Sequence, residues 1–171
     1  MITEEQEKWL SHLDDRDSVK IRPTDPKASE KFEKIKKQIQ SALGKHINVV
    51  HKGATNLGIS GQGELDVYIP VSIENFDSMV DSVEKIFGKA GSLYALDRAR
   101  FITYSDDTKV EVFVINKQRK GWVDSCKFEE HLKQNPDALN AYRKLKEEGQ
   151  GSSTQKYYRR KIEFINNILS K

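Results

Sequence analysis

Between Glu64 and Ile69 the chain alternates without a break, Glu64-Leu65-Asp66-Val67-Tyr68-Ile69, and this pattern limits what the segment can become. In an extended strand, residues i and i+2 share a face, so Leu65, Val67 and Ile69 line one side and Glu64, Asp66 and Tyr68 the other. A strand of that kind needs a layer of helix or sheet against its aliphatic side. A second run, Lys109-Val110-Glu111-Val112-Phe113-Val114-Ile115, is apolar on both faces apart from Glu111. That is the pattern of a central strand covered on both sides, with one charge at the mouth of a cleft. A lone carboxylate on an apolar face needs a partner.

The rest of the chain supplies the covering layers. Residues 4 to 13 read as a helix capped by Thr3, with Trp9, Leu10 and Leu13 along one side. Phe32, Ile35 and Ile39 give residues 27 to 43 an amphipathic stripe, and Gly44 stops it. His46 to His51 is a short β-branched strand, and residues 64 to 71 form the next. Phe76, Met79, Val80, Val83, Ile86 and Phe87 mark a further helix, ended by Gly88 or Gly91. Residues 92 to 104 and 109 to 116 read as a hairpin joined by Ser105-Asp106-Asp107-Thr108.

Beyond Gly121-Trp122 the pattern is helical. One helix is expected over 127–134, another opens at Asn135-Pro136, and a last one over 154–169 buries Tyr158, Ile162, Ile165 and Leu169. Gly149-Gln150-Gly151-Ser152-Ser153 reads as a flexible connector. The order implies a mixed sheet flanked by helices, of the α+β (α/β) class, ending in a helical segment. One domain overall is expected: a core with its N-terminal helices over 1–125, and a helical segment over 126–171 packed on it.

Composition narrows the function classes. A net charge of +3 is too small to indicate a phosphate-backbone partner, and no RNA-binding module is present, so nucleic acid is not the expected ligand. The single cysteine, Cys126, cannot form an internal disulfide. The acidic start Met1-Ile2-Thr3-Glu4-Glu5 lacks an apolar signal core, and no run of about 18 apolar residues occurs. A cytoplasmic address with no membrane association is the expectation.

The chemistry-bearing residues gather around the two strands. Glu64 and Asp66 should project side by side, and adjacent carboxylates repel unless a cation holds them, which makes Glu64, Asp66 and Glu111 a candidate magnesium site. The competing interpretation has Glu64 at a strand end, Asp66 paired with an arginine, and Glu111 facing solvent. Just upstream, Gly53-Ala54-Thr55-Asn56-Leu57-Gly58 forms a small-residue turn. Gly53 would let the backbone approach a triphosphate and Thr55 would add a hydroxyl. An ordinary strand-to-helix turn capped by Thr55 is the alternative, and no Walker loop is present. In the last helix, Lys156, Arg159, Arg160 and Lys161 form a basic stripe, of which Lys161 is the candidate for a cleft-facing cation.

Three stretches together resemble the GrpB family, whose fold belongs to the nucleotidyltransferase superfamily. His51-Lys52-Gly53-Ala54-Thr55, with Asp66 downstream, is similar to the family's His-x-Gly-Ser-Thr segment. Gly121-Trp122 through Phe128-Glu129-Glu130-His131-Leu132-Lys133-Gln134-Asn135-Pro136 looks like its "FRDYLRxHP" segment. Tyr142-Arg143-Lys144-Leu145-Lys146, then Tyr157 or Tyr158, Lys161 and Phe164, resembles its ending. The chain departs from the pattern at Ala54, where serine is usual, at Glu129-Glu130, and in the missing Val-Pro-Gly after the turn.

Two expectations follow. The first is magnesium-dependent transfer of a nucleoside monophosphate from a nucleoside triphosphate to a small-molecule acceptor. Two ions would sit on Glu64 and Asp66, Glu111 and Asp66 would act in catalysis, and Gly53, Thr55 and Lys161 would hold the nucleotide. The second is a non-catalytic member of the same fold that binds a nucleotide or other anion as a sensor or adaptor, which Ala54 and the missing loop favour.

Overall fold

A computed structural model describes residues 1–170. In chain order it has α1 (Glu4–Leu10), α2 (Ala28–Leu43), β1 (Val50–Lys52), α3 (Gly53–Leu57) and β2 (Leu65–Val71). A 3-10 turn then leads into α4 (Phe76–Phe87), followed by β3 (Ser92–Tyr94), β4 (Arg98–Ser105) and β5 (Thr108–Asn116). Three helices end the chain: α5 (Lys120–Gln134), α6 (Pro136–Glu147) and α7 (Thr154–Leu169). The five strands form one mixed sheet in the order β1-β2-β5-β4-β3. Within it β2 and β5 pair in parallel, and the other neighbouring strands pair antiparallel. The mixed α+β class expected from the element order is the one observed.

Two units divide the chain. One comprises residues 24–58 and 63–123, the other residues 1–23, 59–62 and those from Asp124 onward, so the dividing line falls inside α5. The first 23 residues therefore group with the C-terminal helices rather than with the sheet.

In the sheet unit, the alternation of β2 has the expected outcome. Leu65, Val67 and Ile69 are fully buried and face the same side as Val110, Val112 and Val114 of β5 and Ala99 and Phe101 of β4. Against that side pack Ala28, Phe32, Ile35 and Ile39 of α2 and Phe76, Val80 and Val83 of α4. Burying each of the Val, Leu, Ile and Phe side chains among these contributes roughly 1.5–3 kcal/mol, which is what makes the register costly to shift. The other side of the sheet carries Asp66, Tyr68, Glu111 and Phe113.

Lys31 is a buried ammonium at the edge of this layer. It donates to Asp25 Oδ2 at 2.7 Å and to Thr108 Oγ1 at 2.6 Å, tying the start of α2 to the β4–β5 turn.

In the helical unit, Phe128, Tyr142 and Phe164 form an edge-and-stack aromatic cluster. Thr3 caps α1 reciprocally with Gln6, and Arg159 forks onto both carboxylate oxygens of Glu7. No helix among the described residues is long and apolar enough to cross a membrane.

Several boundaries differ from those read off the sequence. The first helix ends at Leu10, and β1 starts only at Val50, where its partner Tyr68 begins the ladder. The hairpin is split: Ala95-Leu96-Asp97 turns the chain between β3 and β4, with Leu96 at φ 54°. No Gly, Asn or Pro marks that turn. The β4–β5 turn is only two residues, because Ser105 and Thr108 already pair. α5 starts at Lys120, since the first turn of a helix tolerates Gly121. The Gly149–Ser153 connector is tied down rather than loose: Gly151 N donates to Val19 O and Val19 N to Ser152 O. In α7 the fully buried tyrosine is Tyr157, one position before the expected Tyr158.

The hydrogen bond from Lys31, followed by one from the Lys27 amide, holds the Asp25 carboxyl below its ordinary value of 3.8. A carboxyl lowered on folding contributes stability above its unfolded pKa and loses it as pH falls through the folded one. We expect Asp25→Asn to lower the melting temperature at pH 7 and to reduce the acid sensitivity of unfolding below about pH 4. Thermal melts of both proteins from pH 7 to pH 2 check this; parallel curves would refute it.

Candidate functional site on the outer sheet face

The outer face is ordered by strand register. Lys52 of β1 stands opposite Asp66 of β2, which stands opposite Glu111 of β5. In the next row, Val50, Tyr68, Phe113 and Arg100 follow one another across β1, β2, β5 and β4. All these residues belong to the sheet unit. Glu64 precedes β2 by one residue and Lys109 precedes Glu111 by two, so both join the same side.

The two glutamates share one ammonium. Lys109 Nζ donates to Glu111 Oε1 at 2.9 Å and to Glu64 Oε1 at 3.1 Å. Arg100 Nη1 adds a long bond of 3.3 Å to the same Glu111 oxygen, and Arg100 Nε is buried with no hydrogen-bond partner among the described residues. Glu111 is 11 % exposed and Lys109 35 %, so the bridge lies between an exposed pair worth ~1 kcal/mol or less and a buried one whose rupture costs ~3–5 kcal/mol. Burial pulls the Lys109 pKa down, but the bonds to Glu111 and Glu64 outweigh it and leave it above the ordinary 10.5.

Asp66 goes elsewhere. Its carboxylate leans over Gly53, so that a β-carbon at that position would collide with Asp66 Oδ2. Gly53 also has φ +80°, a conformation that L side chains rarely adopt. The turn is a single helical turn with Lys52, not Thr55, at its N-cap. Thr55 Oγ1 lies 2.9 Å from His51 Nε2, and the His51 ring stacks on Phe32 at 4.8 Å. Its hydroxyl is therefore turned toward His51.

An aromatic column flanks the charges. Tyr68 stacks on Phe113 at 4.6 Å and meets Trp122 at 5.4 Å, and Lys52 Nζ sits 5.1 Å over the Trp122 ring. Arg98 lies over Phe113 and Tyr94.

The three acids thus share a face, and Glu64 and Glu111 are brought to one atom. That atom is an ammonium nitrogen. Among the described residues no group of three or more His, Cys, Asp or Glu side chains is placed to hold a metal ion. A magnesium ion asks for oxygen ligands at about 2.0–2.1 Å in near-octahedral geometry. Lys109 and Arg100 already neutralise Glu64 and Glu111, and a divalent ion among them would meet two cations. In this arrangement the residues do not fit a two-ion centre.

Lys161, expected to contact the nucleotide, lies in the helical unit, its Nζ 4.6 Å over Tyr158 and 5.3 Å over Tyr157. Two members of its basic stripe are consumed locally, Arg159 by Glu7 and Arg160 by Glu148.

Sequence reasoning missed Lys109, Lys52, Tyr68 and Trp122 as site residues. Lys109 carried a usable signal, because position i−2 from Glu111 shares its face. Arg100 reaches Glu111 only through the β4–β5 register, which the length of the turn sets.

We expect Gly53→Ala to destabilise the protein by about 1–3 kcal/mol, the cost of forcing a side chain into that backbone region, with the collision against Asp66 adding to it. In urea unfolding, adding Asp66→Ala to Gly53→Ala should recover part of the loss. Strict additivity would contradict the close approach.

A crystal structure of conserved protein GrpB from Enterococcus faecalis matches with a TM-score of 0.68 and 21 % identity, over 88 % of this chain and 94 % of that one. At that identity the likeness speaks for the fold. No curated protein matches the chain. The family described as GrpB protein matches residues 18–171, nearly the full length. The chain belongs to the GrpB family.

Proposed function

We propose that this protein binds a nucleotide or another phosphorylated anion on the outer face of its sheet, without divalent-metal chemistry, and acts as a sensor or adaptor. Arg100 carries this reading. A guanidinium offers five donors, yet among the described residues this one spends a single long bond on Glu111 and keeps Nε buried and unsatisfied. Buried polar groups are normally paired, and a phosphate oxygen matches the guanidinium fork. Arg98 and Lys52 lie on the same face, and Lys109 can exchange its carboxylates for phosphate as a ligand enters. Tyr68, Phe113 and Trp122 supply an apolar wall beside the charges.

The transferase reading keeps one observation in its favour: Asp66 and Glu111 are direct register partners on adjacent strands. It requires Lys109 to leave both glutamates.

Thermal shift of the full chain with ATP, CTP, GTP, UTP or inorganic phosphate, in magnesium or in chelator, separates the two. We expect stabilisation that chelator does not change and that Arg100→Gln weakens, reaching about 2.7 kcal/mol at a hundredfold excess over the dissociation constant. Stabilisation by none of these ligands would overturn the binding reading. Stabilisation that needs magnesium and disappears in Asp66→Asn would favour the transferase.

A further inference from the structure

The fold expected from the resemblance places carboxylates where divalent ions sit, and this chain disagrees with that expectation at one side chain. We infer that Lys109 is the built-in cation of the Glu64–Glu111 pair and keeps divalent ions off this face. The inference rests on the reading that the site works without metal, and it concerns the empty protein rather than its ligand.

Three observations carry it. Lys109 Nζ reaches both carboxylates, at 2.9 and 3.1 Å, so one tethered charge does what a bridging ion would do. Arg100 adds a second cation on Glu111, which brings the four charges to zero before any ion arrives. The lysine is also fixed on β5, next to β2, which Glu64 immediately precedes, so its attachment requires no assembly from solution. An effective concentration in the millimolar range or above is ordinary for groups joined this way. Free magnesium would have to strip its water reluctantly to compete.

Both carboxylates lie within 3.1 Å of the same nitrogen, which bounds how far apart they are. With a neutral side chain at position 109, Glu64 and Glu111 lose the ammonium they share, and Glu111 keeps its long bond to Arg100. Two facing carboxylates repel, and a divalent cation relieves that repulsion. Lys109 is in this sense a positioning residue for the empty protein, since it sets the charge state of the face before any ligand arrives.

Manganese and magnesium titrations of the full chain without nucleotide test the inference, by calorimetry and by paramagnetic broadening for manganese. Lys109→Met should bind manganese at least tenfold more tightly than the parent protein, and Lys109→Met/Glu111→Gln should lose that gain. Lys109→Arg, which keeps the charge, should behave like the parent and separates loss of charge from misfolding; circular dichroism confirms that each variant is folded. Parent protein that binds manganese as tightly as Lys109→Met, in a manner Glu111→Gln abolishes, would overturn the inference. A folded Lys109→Met with no gain would also overturn it. Anion binding is read separately, by thermal shift with nucleotide or phosphate in chelator, so failure of this idea leaves that part of the binding reading standing.

Discussion

The charge balance of the outer face depends on one ammonium held between Glu64 and Glu111. β2 and β5 run parallel and side by side, which brings Asp66 opposite Glu111 and leaves Glu64 and Lys109 at the entrance of the same pair. The aliphatic side of those strands fixes the register, because Leu65, Val67, Val110 and Val112 have no exposure to give up. A one-residue slip would turn the acids into the core and the valines outward. The core therefore dictates where the charges meet, and the charges must then be reconciled locally. Lys109 does that for Glu64 and Glu111, while Gly53 makes room for Asp66.

The layering was legible because it rests on period alone. The alternation of residues 64–69 and the uninterrupted apolar run around Glu111 each specify a face, and both faces are observed as read. Helix stripes such as Phe32, Ile35 and Ile39 were legible for the same reason. The turn at Ala95-Leu96-Asp97 was not, since nothing in those residues advertises a positive φ. Tyr157 replaced Tyr158 in the core of α7 because adjacent tyrosines leave the phase of a helix open by one residue.

The site was half legible. Three acids on one face could be derived from sequence, and so could the need of Glu111 for a partner. The identity of that partner could not be derived from spacing alone. A lone charge on an apolar strand can be met by a metal or by a cationic side chain, and the choice depends on register between β4 and β5, which brings in Arg100, and on the side chain two residues upstream. Two of the basic residues that the sequence offered in α7, Arg159 and Arg160, turn out to pair within their own unit. Membership in the GrpB family accounts for the architecture; the charge arrangement is a property of this chain's own residues.

A metal-free outer face requires Lys109 and Glu111 to interact energetically as closely as their 2.9 Å separation implies. A double-mutant cycle of Lys109→Met, Glu111→Gln and the combined variant, followed by urea unfolding at moderate salt, measures that coupling directly. Groups in one salt-bridge network should depart from additivity by about 0.5–3 kcal/mol, with the double variant less damaged than the two single losses together. Additive losses, equal within about 0.3 kcal/mol, would mean that the ammonium does not hold this carboxylate and would remove the basis for a metal-free face.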